Sequence, residues 1–290
     1  TIAEILREAG YSTLMAGKWH VGEDRPQWPC DRGFDKYFGL ISGASNYFNI
    51  TKVGRKGVMR KMALDNQPYY PPKDSFYMTD AITDFAVKFL QEEYDNENPF
   101  FLYVAFTAPH SPLHARDSDI NKYKGIFSPG WDSLRIERYN RMKELGIVND
   151  NYTISPRDPD VLPWAEITNK KDMELKMEVY AAMIDRMDQG IGKIIKQLSD
   201  IGKEKNTLIM FLSDNGACVT GGLYGFDFRN NNIPCGKEDS YMSYGQGWAN
   251  LSNTPFRFHK GNIHEGGICT PFIAYWPSMI KGGTITRQPG

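Results

Sequence analysis

The sequence predicts an α/β fold, with a mostly parallel sheet sandwiched between helices. Two patterns point there. A helical periodicity followed by a short apolar run recurs three times along the chain, and each run ends in polar residues that a strand does not need. Thr1 and Glu4 read as a capping box, Ile2, Ile5, Leu6 and Ala9 fall on one helical face, and Gly10 supplies the left-handed stop before a strand over 12–16. Met78, Ile82, Phe85 and Phe89 then recur at helical spacing, Asn98 and Pro99 break the pattern, and 100–106 reads as a buried strand. The clearest helix carries Met173, Met177, Tyr180, Ile184, Met187, Ile191, Ile194 and Leu198, and 208–212 follows as another buried strand. A fourth apolar segment, 272–276, adds a strand near the end.

Residues 22–73 and 218–253 lack such periodicity, and loops this long in a compact domain are commonly functional. Residues 114–166, with several prolines and scattered charges, read as an insertion able to cover or border a site.

Composition removes several function classes. Across 290 residues, 34 Lys and Arg face 35 Asp and Glu, and 41% of residues are hydrophobic. That balance excludes a disordered polyelectrolyte and leaves no electrostatic footprint for nucleic acid. No apolar stretch approaches the roughly 20 residues that cross a bilayer. Cys30, Cys218, Cys235 and Cys269 form no C-x-x-C pair and no zinc-like spacing, so they make up to two disulfides or none. Thr1 in the first position reads as part of a longer chain, with any targeting segment outside it.

In open α/β sheets ligands bind beyond the carboxyl ends of the strands. Those ends deliver Gly17-Lys18-Trp19-His20, Ala108-Pro109-His110 and Ser213-Asp214-Asn215-Gly216, and Phe258-His259-Lys260-Gly261 precedes His264-Glu265-Gly266-Gly267 and the last strand. Taken singly, a lysine after a glycine is an ordinary surface group, and Asp-Asn-Gly an ordinary turn. His114 and His259 are read as packing or surface histidines. Jointly, Lys18, His20, His110, Asp214, Asn215 and Lys260 are expected at one rim. Carboxylate and amide oxygens suit calcium or magnesium, whereas zinc prefers more imidazole or thiolate. A hard cation flanked by two lysines is a site for a tetrahedral oxyanion, which points to sulfate or phosphate esters.

These motifs resemble those of the type I, formylglycine-dependent sulfatases of the alkaline phosphatase superfamily. Residues 1–22 are similar to that family's second signature region, and Ala108-Pro109-His110, Ser213-Asp214-Asn215-Gly216, Lys260, Glu265-Gly266-Gly267-Ile268 and Thr270-Pro271-Phe272-Ile273 follow in the family's order. The resemblance implies an alkaline phosphatase-like fold and an arylsulfatase-like sulfuric ester hydrolase. Lys18 and Lys260 would bind sulfate oxygens, His20 would hydrogen-bond the nucleophile and assist breakdown of the enzyme-sulfate intermediate, and His110 would protonate the departing oxygen. Asp214 and Asn215 would complete the coordination of one Ca2+ ion. His264 would face the substrate or serve structure alone.

The family's nucleophile, a formylglycine made within C/S-x-P/A-x-R, does not occur in these residues. Cys269-Thr270-Pro271-Phe272-Ile273 has isoleucine where arginine is required. By the resemblance, 1–290 is part of a catalytic domain truncated at both ends. The nucleophile segment and two further metal-binding aspartates lie upstream of residue 1, and a small C-terminal subdomain follows. The implied partner is a sulfated small molecule or carbohydrate, and the implied location periplasmic, secreted or lysosomal. Two alternatives are a phosphoryl-transfer enzyme of the same superfamily and a noncatalytic anion-binding pseudoenzyme. Asn215 argues against the first, whose two-zinc site needs histidine at that position.

Overall fold

The computed structural model describes residues 1–51 and 59–286. In chain order the elements are α1 (Ile2–Glu8), β1 (Ser12–Gly17), β2 (Lys36–Leu40), β3 (Met62–Leu64), β4 (Gln67–Pro68), α2 (Met78–Glu92), β5 (Phe100–Ala105), α3 (Asp117–Ile120), α4 (Gly130–Glu144), α5 (Lys170–Asp200), β6 (Ile209–Leu212), α6 (Gln246–Ser252), α7 (Glu265–Ile268) and β7 (Phe272–Tyr275). One sheet runs β4-β3-β2-β1-β5 and a second pairs β6 with β7. The first is parallel at its centre, where β1 lies between β2 and β5, and antiparallel where β3 and β4 extend it. The class is therefore α/β, as the sequence predicts, with a mixed sheet.

The sandwich is visible in the alternation along β1. Leu14 and Ala16 enter the larger core with Phe38 and Leu40 of β2, Ile82 and Phe89 of α2, and Met183 and Met187 of α5. Met15 points to the other face, where Ala3 of α1, Trp28, Phe34 and Tyr37 close a smaller cluster. A strand covered on both faces reads as a continuous apolar run, which is why β1 was legible.

The Thr1 and Glu4 capping box is present, with the Glu4 amide donating to Thr1 Oγ1 at 3.1 Å. The apolar stripe of α1 is not its docking face, however. Ala3 is the buried residue, while Ile2 and Ile5 are 59% and 69% exposed. The strands expected to be buried at 100–106 and 208–212 are half exposed. Tyr103 on β5, Met210 and Leu212 on β6 and Phe272 on β7 all face outward. The cause is topological: β5 pairs with β1 alone and β6 with β7 alone, so each keeps one open edge and an uncovered face among the described residues.

The 114–166 region joins the main core. Trp131 of α4 is fully buried and meets Trp164 edge-on at 4.7 Å between centroids and Trp248 of α6 at 5.3 Å. Two of the three indole N–H groups are tied to backbone: Trp131 donates to Leu162 O at 3.1 Å and Trp248 to Met173 O at 2.8 Å. The short helix α6 goes in nearly whole, burying Gly247, Trp248, Ala249, Asn250 and Leu251.

Trp248→Ala is expected to cost about 3–5 kcal/mol, because it opens a cavity and strands the Met173 carbonyl. Tyr224→Ala, at a surface aromatic, is expected to change stability by less than about 0.5 kcal/mol. Chemical denaturation of the two variants side by side checks the contrast.

Candidate active site

The ends of β1, β2 and β5 are drawn unusually close. Gly17 has φ +132° and a Cβ there would lie 2.1 Å from Ala105 O; at Gly39, φ +152°, it would lie 1.8 Å from Gly17 O. Only glycine fits both demands. The chain then continues over the rim under backbone control: the Lys18 amide donates to Ala105 O at 2.8 Å, Trp19 to Leu40 O at 2.8 Å and His20 to Ile41 O at 3.1 Å. His20 sits at φ +55°, a left-handed conformation costly for a non-glycine residue and often found at functional sites.

Lys260 arrives from the opposite side of the rim. Its amide donates to Ala217 O at 2.9 Å, and Gly216 donates to Gly267 O at 3.0 Å, so the loop after β6 and the 258–267 loop hold one another. Asn253 staples the pair, accepting from the Ala217 amide at 2.9 Å through Oδ1 and donating to Phe258 O at 2.9 Å through Nδ2.

The electrostatics show which side chains converge. Burial lowers the Lys18 pKa, and the neighbouring Lys260 ammonium lowers it further while Asp214 pulls the other way. His110 is likewise depressed, first by burial and then by Lys18 and Lys260; its hydrogen bond to Ser111 O and the Asp214 carboxylate oppose this. His20 is depressed by burial, Lys18, Arg60 and Lys260 against Glu23. Lys260 therefore acts on Lys18, His20 and His110, and Asp214 on Lys18 and His110. Lys18 and His110 also share a cavity of ≈ 10 Å³ with Gly43, Ala44, Ser45 and Tyr47, room for about one water.

The His110 ring is oriented by its Nδ1, which lies 2.6 Å from Ser111 O. A carbonyl only accepts, so Nδ1 carries a proton and Nε2 is the nitrogen free to exchange one. His264 stands close to the Lys260 loop through Phe258. It is exposed at the start of α7, and its ring packs edge-on against Phe258 at 4.6 Å.

Asp214, which acts on Lys18 and His110, and the next residue, Asn215, offer hard oxygen donors, and no hydrogen bond engages either side chain among the described residues. These donors fit a hard divalent cation. The described residues hold no cluster of three or more His, Cys, Asp or Glu suited to a metal. All four cysteines are free thiols, and burial pushes Cys30 and Cys235 up to about 12, far from a reactive thiolate.

Sequence reasoning missed several contributors. Gly43 lies beneath His20, where a Cβ would come within 2.8 Å of Nε2. Tyr47 is buried beside His110, and His114, read as a packing histidine, is buried behind Tyr47. A run of small polar residues, Ser42-Gly43-Ala44-Ser45-Asn46, in a segment without periodicity was the available signal.

Comparison with known proteins places the chain in a family. The sequence profile of the sulfatase family matches residues 1–289. An arylsulfatase of Klebsiella aerogenes is 36% identical over 298 residues, covering 98% of this chain and 63% of the relative. The mouse N-acetylgalactosamine-6-sulfatase is 27% identical, covering 100% of this chain and 42% of its own length. Among solved structures, Ps i-CgsB in complex with k-i-k-neocarrahexaose superposes with a TM-score of 0.64 at 26% identity, over 97% of this chain and 48% of that one. The chain thus spans about two fifths to two thirds of the length of these relatives. Its fold is the alkaline phosphatase-like α/β architecture of those structures. A profile that fits all but the final residue, on a fold shared with the solved members, leaves one assignment: the chain belongs to the sulfatase family.

Proposed function

We propose that the whole protein is a sulfuric ester hydrolase, releasing inorganic sulfate and an alcohol from a sulfated carbohydrate. The observation that carries this reading is that Lys18 and His110 line one cavity and both feel the charge of Lys260. Two ammonium groups facing one point bind the oxygens of a tetrahedral anion and stabilise charge that builds on them during bond cleavage. His110, with its Nδ1 proton committed to Ser111 O, delivers a proton from Nε2 to the departing ester oxygen. His20, at the rim beside Lys18, is positioned to hydrogen-bond the nucleophile.

The nucleophile belongs, on this proposal, to a formylglycine segment upstream of residue 1, and that group supplies the hydroxyl that attacks sulfur. The open edges of β5 and β6 and the outward apolar side chains Tyr103, Met210, Leu212 and Phe272 support an upstream strand there. Residues 1–290 are then part of a catalytic domain, with a smaller subdomain following and 114–166 as its insertion. Asp214 and Asn215 would hold one calcium ion together with upstream aspartates, the cation supplying positive charge beside the sulfate. A sulfated sugar is preferred as substrate because the mouse relative is named an N-acetylgalactosamine-6-sulfatase and Ps i-CgsB is solved in complex with k-i-k-neocarrahexaose. No described helix is long and apolar enough to cross a membrane, and we place the protein in a periplasmic, secreted or lysosomal compartment, where calcium is plentiful.

In the full-length protein, Lys18→Ala or Lys260→Ala is expected to lower turnover of 4-nitrophenyl sulfate by about a hundredfold or more. Turnover like that of the unaltered protein would refute the assignment. Residues 1–290 alone, holding part of the ligand set, are expected to bind calcium weakly and hydrolyse nothing; tight calcium binding by isothermal titration would contradict this.

The depressed His110 pKa gives a pH prediction. The acid form is lost as pH rises through its pKa, so kcat/KM, which reports the free protein, is expected to fall above a pH lower than the ordinary histidine value of 6.5. A bound sulfate ester offsets the repulsion from Lys18 and Lys260, so the matching limb in kcat lies at higher pH. Both limbs should vanish in His110→Ala, as pH–rate profiles of the two proteins would show.

A further inference from the structure

We infer that Tyr47 is a positioning residue for His110, itself fixed by the buried imidazole of His114, so that a hydrogen-bonded chain from Ser240 through His114 and Tyr47 sets where the leaving-group acid stands. The inference rests on the reading of His110 as that acid, and concerns two residues to which the proposed reaction itself gives no role.

The connections are continuous and buried. Tyr47 is 2% exposed, and its hydroxyl donates to the His110 carbonyl oxygen at 2.8 Å. The Tyr47 amide points to His114 Nδ1 at 3.3 Å, and His114 Nε2 lies 2.8 Å from Ser240 O. A carbonyl accepts and an amide donates, so the ring must be the neutral tautomer with its proton on Nε2 and a bare Nδ1. Full burial favours that state: His114 is held at a pKa of about 4, with Glu238 and Asp239 opposing the shift and Arg229 adding to it. Tyr77 closes the circuit, donating to the His114 carbonyl oxygen at 2.9 Å, and its ring lies 6.1 Å from that of Tyr47.

The mechanical consequence lies in the backbone after β5. From Thr107 to His114 the chain forms no helix or named strand, and the His110 backbone makes two contacts, its amide on Thr107 O at 3.0 Å and its carbonyl under the Tyr47 hydroxyl, before the Leu113 amide ties the chain to Met242 O at 2.9 Å. The ring is tied locally, to the next residue's carbonyl. Ring position therefore follows the backbone, and the backbone follows Tyr47. The loop that carries Tyr47 also supplies Gly43, Ala44 and Ser45 to the cavity shared with Lys18. A single clamp thus sets the acid relative to the sulfate-binding lysine. Removing the phenolic hydroxyl frees the His110 carbonyl while keeping the aromatic packing.

The test uses the full-length protein and a series of aryl sulfates graded in leaving-group basicity, from 4-nitrophenyl through phenyl to 4-methoxyphenyl sulfate. A misplaced acid matters most where the leaving oxygen most needs a proton. Tyr47→Phe is expected to lower kcat for the 4-methoxyphenyl ester about tenfold or more, and for the 4-nitrophenyl ester about twofold or less, with KM little changed. His114→Leu should steepen the dependence in the same way, and His114→Asn, whose amide oxygen can still accept from the Tyr47 amide, should restore much of it. If Tyr47→Phe lowers every ester equally, or leaves the slope unaltered while His110→Ala steepens it, the clamp is wrong and His110 remains the acid. If His110→Ala itself leaves the slope unaltered, the reading of His110 fails. Thermal unfolding of each variant separates loss of fold from loss of aim, and the His114 pair decides the matter should Tyr47→Phe not fold.

Discussion

Two like charges held against their repulsion organise this molecule. Lys18 and Lys260 come from opposite ends of the chain, and the Lys260 ammonium makes Lys18 harder to protonate. In a partly desolvated cleft that repulsion is several times stronger than in water. The fold must therefore grip both backbones, and it does so with amide-to-carbonyl hydrogen bonds: Lys18 onto the end of β5, and Lys260 onto the loop after β6. A divalent or monovalent tetrahedral anion removes the conflict by sitting between the two ammonium groups. Affinity for such an anion is in this sense a property of the strain between the lysines as much as of their contacts with a ligand.

The same economy explains the glycines at the rim. Gly17 and Gly39 allow β1 to approach β2 and β5 so closely that backbone oxygen occupies the space of a side chain. Without that approach the Lys18, Trp19 and His20 amides could not follow one another across three strand ends. The left-handed backbone of His20 is the residual strain of that path.

Much of this was readable from residues alone, for identifiable reasons. β1, α2 and α5 announce themselves because burial on one or both faces imposes a period that survives in the sequence. Lys18, His110, Asp214 and Lys260 were legible by their place after such elements. β2 was lost because Lys36-Tyr37-Phe38-Gly39-Leu40 is short, covered on both faces and without alternation. α4 was lost because its fifteen residues dock chiefly through Trp131 and leave no stripe to detect. The outward face of β5 and β6 contradicted the expectation of buried strands, since apolarity records what a strand is built to meet, and the described residues do not provide it. Tyr47, Asn253 and His114 act through contacts some forty or more residues away in most cases, and pattern in a single sequence does not encode pairings of that range.

The burial of α6 has a consequence for how the protein can be made. Asn250-Leu251-Ser252 is an acceptor triplet for asparagine-linked sugar, yet Asn250 is 1% exposed and faces the interior. In a host that attaches glycans to the emerging chain, a bulky polar graft placed on Asn250 before α6 had docked would hold Trp248 out of its cluster. Asn151-Tyr152-Thr153, on an exposed turn, could carry the same graft without harm. Secretory yield in such hosts is thus governed by a race between folding and sugar transfer at one helix.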